Sequence, residues 1–189
     1  VVWVGERYGY INREGAMVIN PQFDWAVPFS EGLANVWVGD RIGYIDKEGT
    51  MVINPQFDSA QPFSEGLAAV SVDERYGYIN REGAMVINPQ FDYAGSFSEG
   101  LAAVRVGDRY GYIDKEGTMV INPQFDYAGS FSEGLAAVRV GDRMGYIDKE
   151  GTMVINLQFD EAEPFSEGLA RVQVGDRMGY INKEGEQIY

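Results

Sequence analysis

The glycine of a Gly-Tyr-Ile triplet stands at Gly9, Gly43, Gly77, Gly111, Gly145 and Gly179, each 34 residues after the last. Five full copies, 1–34, 35–68, 69–102, 103–136 and 137–170, precede a partial sixth at 171–189. A fixed period of this length means that each copy is one supersecondary unit stacked on its neighbours, so residues 1–189 read as a single repeat domain. The same regularity argues against an enzyme. Catalysis rests on one asymmetric constellation, and this chain offers many near-equal positions.

The copy at 103–136 shows what the unit is. Val104, Arg105 and Val106 alternate apolar and polar, as a half-buried strand does. Gly107-Asp108 is a two-residue turn with a glycine able to supply positive φ. Arg109 to Ile113 returns, and Asp114-Lys115-Glu116-Gly117 fits a type I turn closed by a left-handed glycine. Met119 to Phe125 makes a third strand. Its Asn122-Pro123 bends it or puts it on an edge, because proline cannot donate to a ladder. Phe131-Ser132-Glu133-Gly134 turns into the next copy. No stretch has helical periodicity. The unit is a three-stranded antiparallel meander with a short fourth strand near Tyr127–Phe131, and the fold class is all-β. Tandem meanders of this kind form an open β-solenoid-like array or, as the alternative, a six-bladed β-propeller-like ring. Thirty-four residues are few for a propeller blade, which favours the open array. Val1 begins mid-pattern, as in an excised or processed part of something longer.

The two-residue turn also sets the faces. Val104, Val106, Gly111 and Ile113 share one face of the sheet; Arg105, Tyr110 and Tyr112 share the other. The valines are the same in every copy, whereas the cross-strand pair on the second face changes: Trp3/Tyr8, Trp37/Ile42, Ser71/Tyr76, Arg105/Tyr110, Arg139/Met144, Gln173/Met178. A third changing position runs Trp25, Ser59, Tyr93, Tyr127, Glu161. Two readings meet here: exposed positions free to drift, or the lining of a binding surface. Tryptophan, tyrosine and arginine are enriched at interfaces and are not what neutral surface drift supplies. The candidate ligand-binding residues are therefore Trp3, Tyr8, Trp25, Trp37, Tyr76, Tyr93, Arg105, Tyr110, Tyr127 and Arg139. The tryptophans gather toward the N-terminal end; packing against a preceding repeat is their rival explanation.

Composition narrows the function classes. There are 29 acids against 15 bases, a net charge of −14, which argues against nucleic acid as a partner. No run approaches the ~18 apolar residues of a membrane-spanning helix, so no membrane insertion is expected. The chain has no cysteine and no histidine, which removes the thiolate ligand, the commonest metal ligand and the commonest general base. No catalytic residue, metal or cofactor is expected. The acidic turn Asp46-Lys47-Glu48-Gly49 and its copies match a calcium loop poorly and read as hairpin turns. Asp24, Asp58, Asp92, Asp126 and Asp160 read as turn caps, with an ion ladder to Arg7, Arg41, Arg75, Arg109, Arg143 or Arg177 open as a second role.

The run Gly43-Tyr44-Ile45-Asp46-Lys47-Glu48-Gly49, followed by Met51 to Asp58, Ala60 and Phe63-Ser64-Glu65-Gly66-Leu67-Ala68, resembles the bacterial WG-containing repeat. Every copy fits. One departure is the tryptophan before the family's glycine, replaced by Tyr8, Ile42, Tyr76, Tyr110, Met144 and Met178. The resemblance implies an interaction module and no particular reaction. A weaker likeness is to choline- and glucan-binding hairpin repeats, although Tyr10, Tyr44, Tyr78, Tyr112, Tyr146 and Tyr180 alone recur at one phase. The expected function is a non-catalytic scaffold binding protein or peptide through the variable face; the alternative is carbohydrate or cell-surface binding by aromatic stacking.

Overall fold

The hairpin around Gly107-Asp108 pairs as its loop length dictates: Val106 with Arg109, Arg105 with Tyr110 and Val104 with Gly111. Gly107 takes a φ of +61°, the sign that such a turn needs at its first central position. The strands are Ala102–Val106 and Arg109–Ile113. The next turn closes when Gly117 N–H donates to Asp114 O at 3.0 Å. The third strand, Met119–Phe125, lies on the sheet edge. The fourth strand exists but is displaced. Tyr127–Ala128 pairs with Ala136–Val140 in the following copy, and Tyr93–Ala94 plays that part here. Only Asp126 separates Phe125 from Tyr127, so the chain leaves one sheet at the aspartate and enters the next at once.

The computed structural model describes residues 1–188. Among them there is no helix; there are six antiparallel sheets. The first has three strands, Val2–Val4, Arg7–Ile11 and Met17–Phe23, and the others have four, spanning 25–57, 59–91, 93–125, 127–159 and 161–188. No sheet closes into a barrel. The physical unit therefore starts at the residue after the aspartate, ten residues before the boundary that the sequence period suggested.

The proline expectation resolves into a bulge. Ile42 faces Phe57 while Tyr44 faces Ile53, so between these pairs three residues on the edge strand oppose one on its partner. The extra backbone, Asn54-Pro55-Gln56, folds over Gly43. A Cβ on Gly43 would sit 2.5 Å from the Ile53 carbonyl oxygen and 2.8 Å from the Pro55 nitrogen. That close approach explains the glycine that defines the period.

The sequence reading of an outward second face is corrected here. Within a unit the sheets stack face to face, so the second face is covered by the next sheet; the second face of the last sheet, with Met178 and Tyr180, is exposed. Tyr44, Ile53 and Phe57 on the second face of one sheet pack against Phe63, Ala68, Val70 and Ile79 of the next. Tyr112, Ile121 and Phe125 do the same with Phe131, Val138 and Ile147. Of the recurring tyrosines, Tyr10, Tyr44, Tyr78, Tyr112 and Tyr146 are thus core residues, whereas Tyr180 in the last sheet is exposed. Tyr44 Oη donates to Gln61 O at 2.6 Å and Tyr112 Oη to Gly129 O at 2.7 Å, and their rings meet Phe63 and Phe131 at 4.9 Å. Burial raises the Tyr44 and Tyr112 phenols above their ordinary range and pushes Tyr10 up to about 12. Conversely, only the inner valines, such as Val36 and Val104, are buried; Val38 and Val106 beside the hairpin turn are exposed.

The Phe-Ser-Glu-Gly turns form a second connection. Ser98 Oγ donates to Phe131 O at 2.7 Å, and the Glu99 carboxylate accepts Gly134 N–H at 2.9 Å. Glu133 accepts Gly168 N–H at 3.0 Å and pairs with Lys183 at 3.1 Å; the Lys183 hydrogen bond draws its carboxyl below the usual range. These glutamates hold positive φ, 53° at Glu99 and 52° at Glu133, a conformation that the inter-repeat bonds keep in place. The chain divides into two compact units, Val1–Phe91 and Asp92–Tyr189, and each holds sheets joined in these ways.

Candidate functional site

All three variable positions fall on one cross-strand row. In the second sheet Trp25 pairs with Trp37, Trp37 with Ile42 and Ile42 with Phe57. The corresponding row is Tyr93, Arg105, Tyr110 and Phe125 in the fourth sheet, and Tyr127, Arg139, Met144 and Phe159 in the fifth. The row runs from the core to the surface. Phe57 and Ile42 are buried, as are Phe159 and Met144, whereas Trp25, Trp37 and Tyr127 are exposed. The covering sheet reaches the first two members and stops short of the last two.

The aspartates hold this row in place. Asp126 Oδ2 accepts the turn N–H of Gly141 at 2.7 Å, while its Oδ1 pairs with Arg109 of the preceding sheet at 2.5 Å. Asp24 does the same with Gly39 and Arg7, and Asp58 with Asp73 N–H and Arg41. Both sequence readings of these residues, cap and ion ladder, are therefore correct. Through Asp24, Asp58, Asp126 and Asp160, the hairpin tips of the second, third, fifth and sixth sheets are tied to the sheet before them. The acidic turns are plain hairpin turns: Asp46 Oδ1 accepts the N–H groups of Glu48 and Thr50 at 3.1 and 2.8 Å, directed at its own backbone.

The ten candidate residues do not behave alike. In the first unit Trp3, 64% exposed, pairs across the strands with Tyr8. Tyr8 is partly buried and meets Trp25 at 4.9 Å, tilted 56°. With Trp37 beside Trp25, the four rings form a continuous aromatic strip. Tyr76 sits half-buried between Ser71 and Phe91. In the second unit Tyr93 meets Tyr110 at 6.0 Å and Tyr110 meets Tyr127 at 6.4 Å. Arg139 stands with its guanidinium carbon 5.8 Å from the Tyr127 ring centre. Arg105, the cross-strand partner of both Tyr93 and Tyr110, has its Nε buried with no hydrogen-bond partner. Tyr8, Tyr76 and Tyr110 thus belong partly to the packing, which sequence reasoning missed because it treated the second face as open. A cleft of about 360 Å³ lies elsewhere, between Phe159 of the fifth sheet and Val172, Met178 and Gly179 of the last.

The WG containing repeat pattern matches residues 8–40, 42–76, 76–110, 110–143 and 144–177. The chain belongs to the WG-containing repeat family. No curated protein sequence matches it. Among solved structures it is similar to BamB from Moraxella catarrhalis, at 12% identity and a TM-score of 0.55, covering 87% of this chain and 59% of that one. It is also similar to Hsv2 from Kluyvelomyces marxianus, at 11% identity and a TM-score of 0.61, covering 90% and 63%. AztD from Citrobacter koseri follows at 14% identity and 0.53, covering 92% and 60%. The chain spans about six-tenths of the length of each. These relatives are propeller-like folds, and the likeness is one of fold alone.

Proposed function

We propose that this WG-repeat chain is a non-catalytic binding module that takes a protein or peptide segment along its variable row. One observation carries the reading: three of the positions that differ among otherwise near-identical copies fall on a single cross-strand row, whose outer members Trp25, Trp37, Tyr93 and Tyr127 are exposed. Trp3, Trp25 and Trp37 place large apolar area in water, where Trp is a frequent interface anchor. The ring pairs are tilted by 56°, 65° and 54°. They offer edges and gaps for inserted side chains, not the flat platform on which a sugar ring stacks. Carbohydrate binding is the second reading and rests on the exposed indoles alone.

The test is selection from a random-peptide phage library and, in parallel, a glycan array, each with the wild-type chain and the triple variant Trp3→Ala, Trp25→Ala, Trp37→Ala. Peptide capture that the triple variant loses, with its melting temperature within a few degrees of wild type, is the expected result. Capture of glycans alone moves the function to the second reading. Capture of neither class overturns both.

A further inference from the structure

We infer that the row of the second unit selects an acidic peptide, with Arg105 receiving a carboxylate; this rests on the binding function proposed above. Arg7, Arg41, Arg109 and Arg143 each pair with an aspartate, and Arg171 pairs with Glu163. Arg105 and Arg139, like Arg13, Arg81 and Arg177, are in no ion pair among the described residues, although acids outnumber bases by 29 to 15 in this chain; what sets Arg105 and Arg139 apart is their place in the row beside tyrosine rings. The Arg105 Nε–H is, besides, shut away from water without an acceptor. The side chain as a whole is only half-buried, and a half-buried guanidinium without a counter-ion gains from an oxyanion that reaches its accessible part. The fold does not ask for arginine here, since Trp37, Ser71 and Gln173 occupy the same row position in other sheets.

The surroundings favour a carboxylate on a polypeptide. Tyr93 and Tyr110 flank Arg105 across the strands, so the cation is walled by rings that exclude water and accept apolar neighbours of the ligand. From Arg105 to Arg139 the path crosses Tyr110 and Tyr127. That is two cross-strand steps of about 5 Å each and a ring contact of 6.4 Å. At roughly 3.3 Å per residue, an extended peptide spans it in about five residues. Arg139 is the weaker of the two, because Glu161 lines the same depression beside Tyr127 and Met144. Arg105 is the selective site, and Arg139 accepts a second acid or a backbone carbonyl.

Peptides selected from a phage library on the intact chain should be enriched in Asp and Glu. A synthetic peptide from that pool should lose at least about tenfold in affinity on the variant Arg105→Gln, the loss of one charge-assisted hydrogen bond. Arg139→Gln should lose less. A Gln-for-Glu version of the peptide should bind wild type and Arg105→Gln equally. Glutamine is native to this row position at Gln173, so the variant folds, and its melting temperature verifies it. Acid-free peptides whose affinity ignores Arg105→Gln overturn the anion preference and leave the row itself standing as a peptide site. An empty peptide selection alongside binding of polygalacturonate makes the ligand an acidic glycan and overturns the proposal. No capture of either kind removes the row as a binding site altogether.

Discussion

The two compact units share one scaffold and differ in what they present on it. In Val1–Phe91 the outer row positions carry the exposed Trp3, Trp25 and Trp37, the half-buried Ser59 and the buried Ser71; in Asp92–Tyr189 they carry the exposed Tyr93 and Tyr127 and the half-buried Arg105 and Arg139. Beneath the row both units repeat the same devices: a tyrosine hydroxyl donated to the next sheet, a Tyr–Phe ring pair, an aspartate clamp and a bulge over glycine. The devices that join the sheets are therefore the same in both units, and the outer row positions are what differ between them.

If the scaffold is the same in both units, then damage to it should cost the same in each. The largest effect is expected at the bulge. A Cβ at Gly43 or Gly145 would come within 2.5 Å of a carbonyl oxygen, of Ile53 in one and Ile155 in the other. The opposing atoms are backbone and cannot rotate away. Gly43→Ala and Gly145→Ala should each destabilise by about 3 kcal/mol, at the upper end for overpacking, read as a lowered urea midpoint. A cost at one site alone would show that the units are not built alike.

The clash also shows what was legible in the sequence. The period, the hairpin registers and the Asp114–Gly117 turn follow from local rules, so Val106 facing Arg109 and Tyr110 facing Arg105 could be read off the loop length. The identity of the covering partner could not. Tyr112 alternates with Gly111 and Ile113 as a half-exposed strand would, yet it is buried, because a sheet stacked on both sides has no wet face. Ser98 to Phe131 and Glu99 to Gly134 cross between copies, and within one copy each looks like an ordinary turn residue. The row was legible as three variable positions and became one site only when Tyr127–Ala128 proved to pair with the following copy.

The buried tyrosines come next in size. Tyr44→Phe and Tyr112→Phe should each cost about 1–3 kcal/mol, since the carbonyls of Gln61 and Gly129 lose their donor inside the core. Stability should also fall in alkali, and the sign follows from burial. Tyr10 has a folded pKa of about 12 against an ordinary 10.0, and Tyr44, Tyr112 and Tyr146 are shifted the same way. The protonated phenol is the form that the fold favours. Its contribution is fully present below the ordinary value and is lost as pH rises through the folded one. Phenolate absorbance should therefore lag behind that of free tyrosine and then rise together with unfolding. Titration of all twelve tyrosines near the ordinary pH without loss of structure would contradict the burial.

The aspartate clamps are surface features and should weigh less. Asp126→Ala should cost about 1 kcal/mol, because the Gly141 N–H loses its cap along with the ion pair. Arg109→Gln, which keeps the cap, should cost a few tenths of a kcal/mol and less in high salt, as for other exposed pairs. Denaturant midpoints of the two variants at low and high ionic strength separate the cap from the charge.

The smallest effect on stability is expected from the exchange that matters most for function. Trp37 and Arg105 occupy the same row position in the two units. Trp37 is exposed, so Trp37→Arg should shift stability by no more than about 0.5 kcal/mol; Arg105 is half-buried, but its replacement removes a buried N–H without an acceptor, so Arg105→Trp should cost no more than that. Ligand preference should move instead. A chain carrying Arg105→Trp should lose selection for acidic peptides, and Trp37→Arg should add acid preference to peptides held by Trp25. The tyrosine rings flanking Arg105 have no counterpart beside Trp37, whose cross-strand neighbours are Trp25 and Ile42, so the transplanted arginine should select more weakly than the native one. Equal selectivity at the two sites would mean that the cation alone carries recognition and that the tyrosine walls contribute nothing.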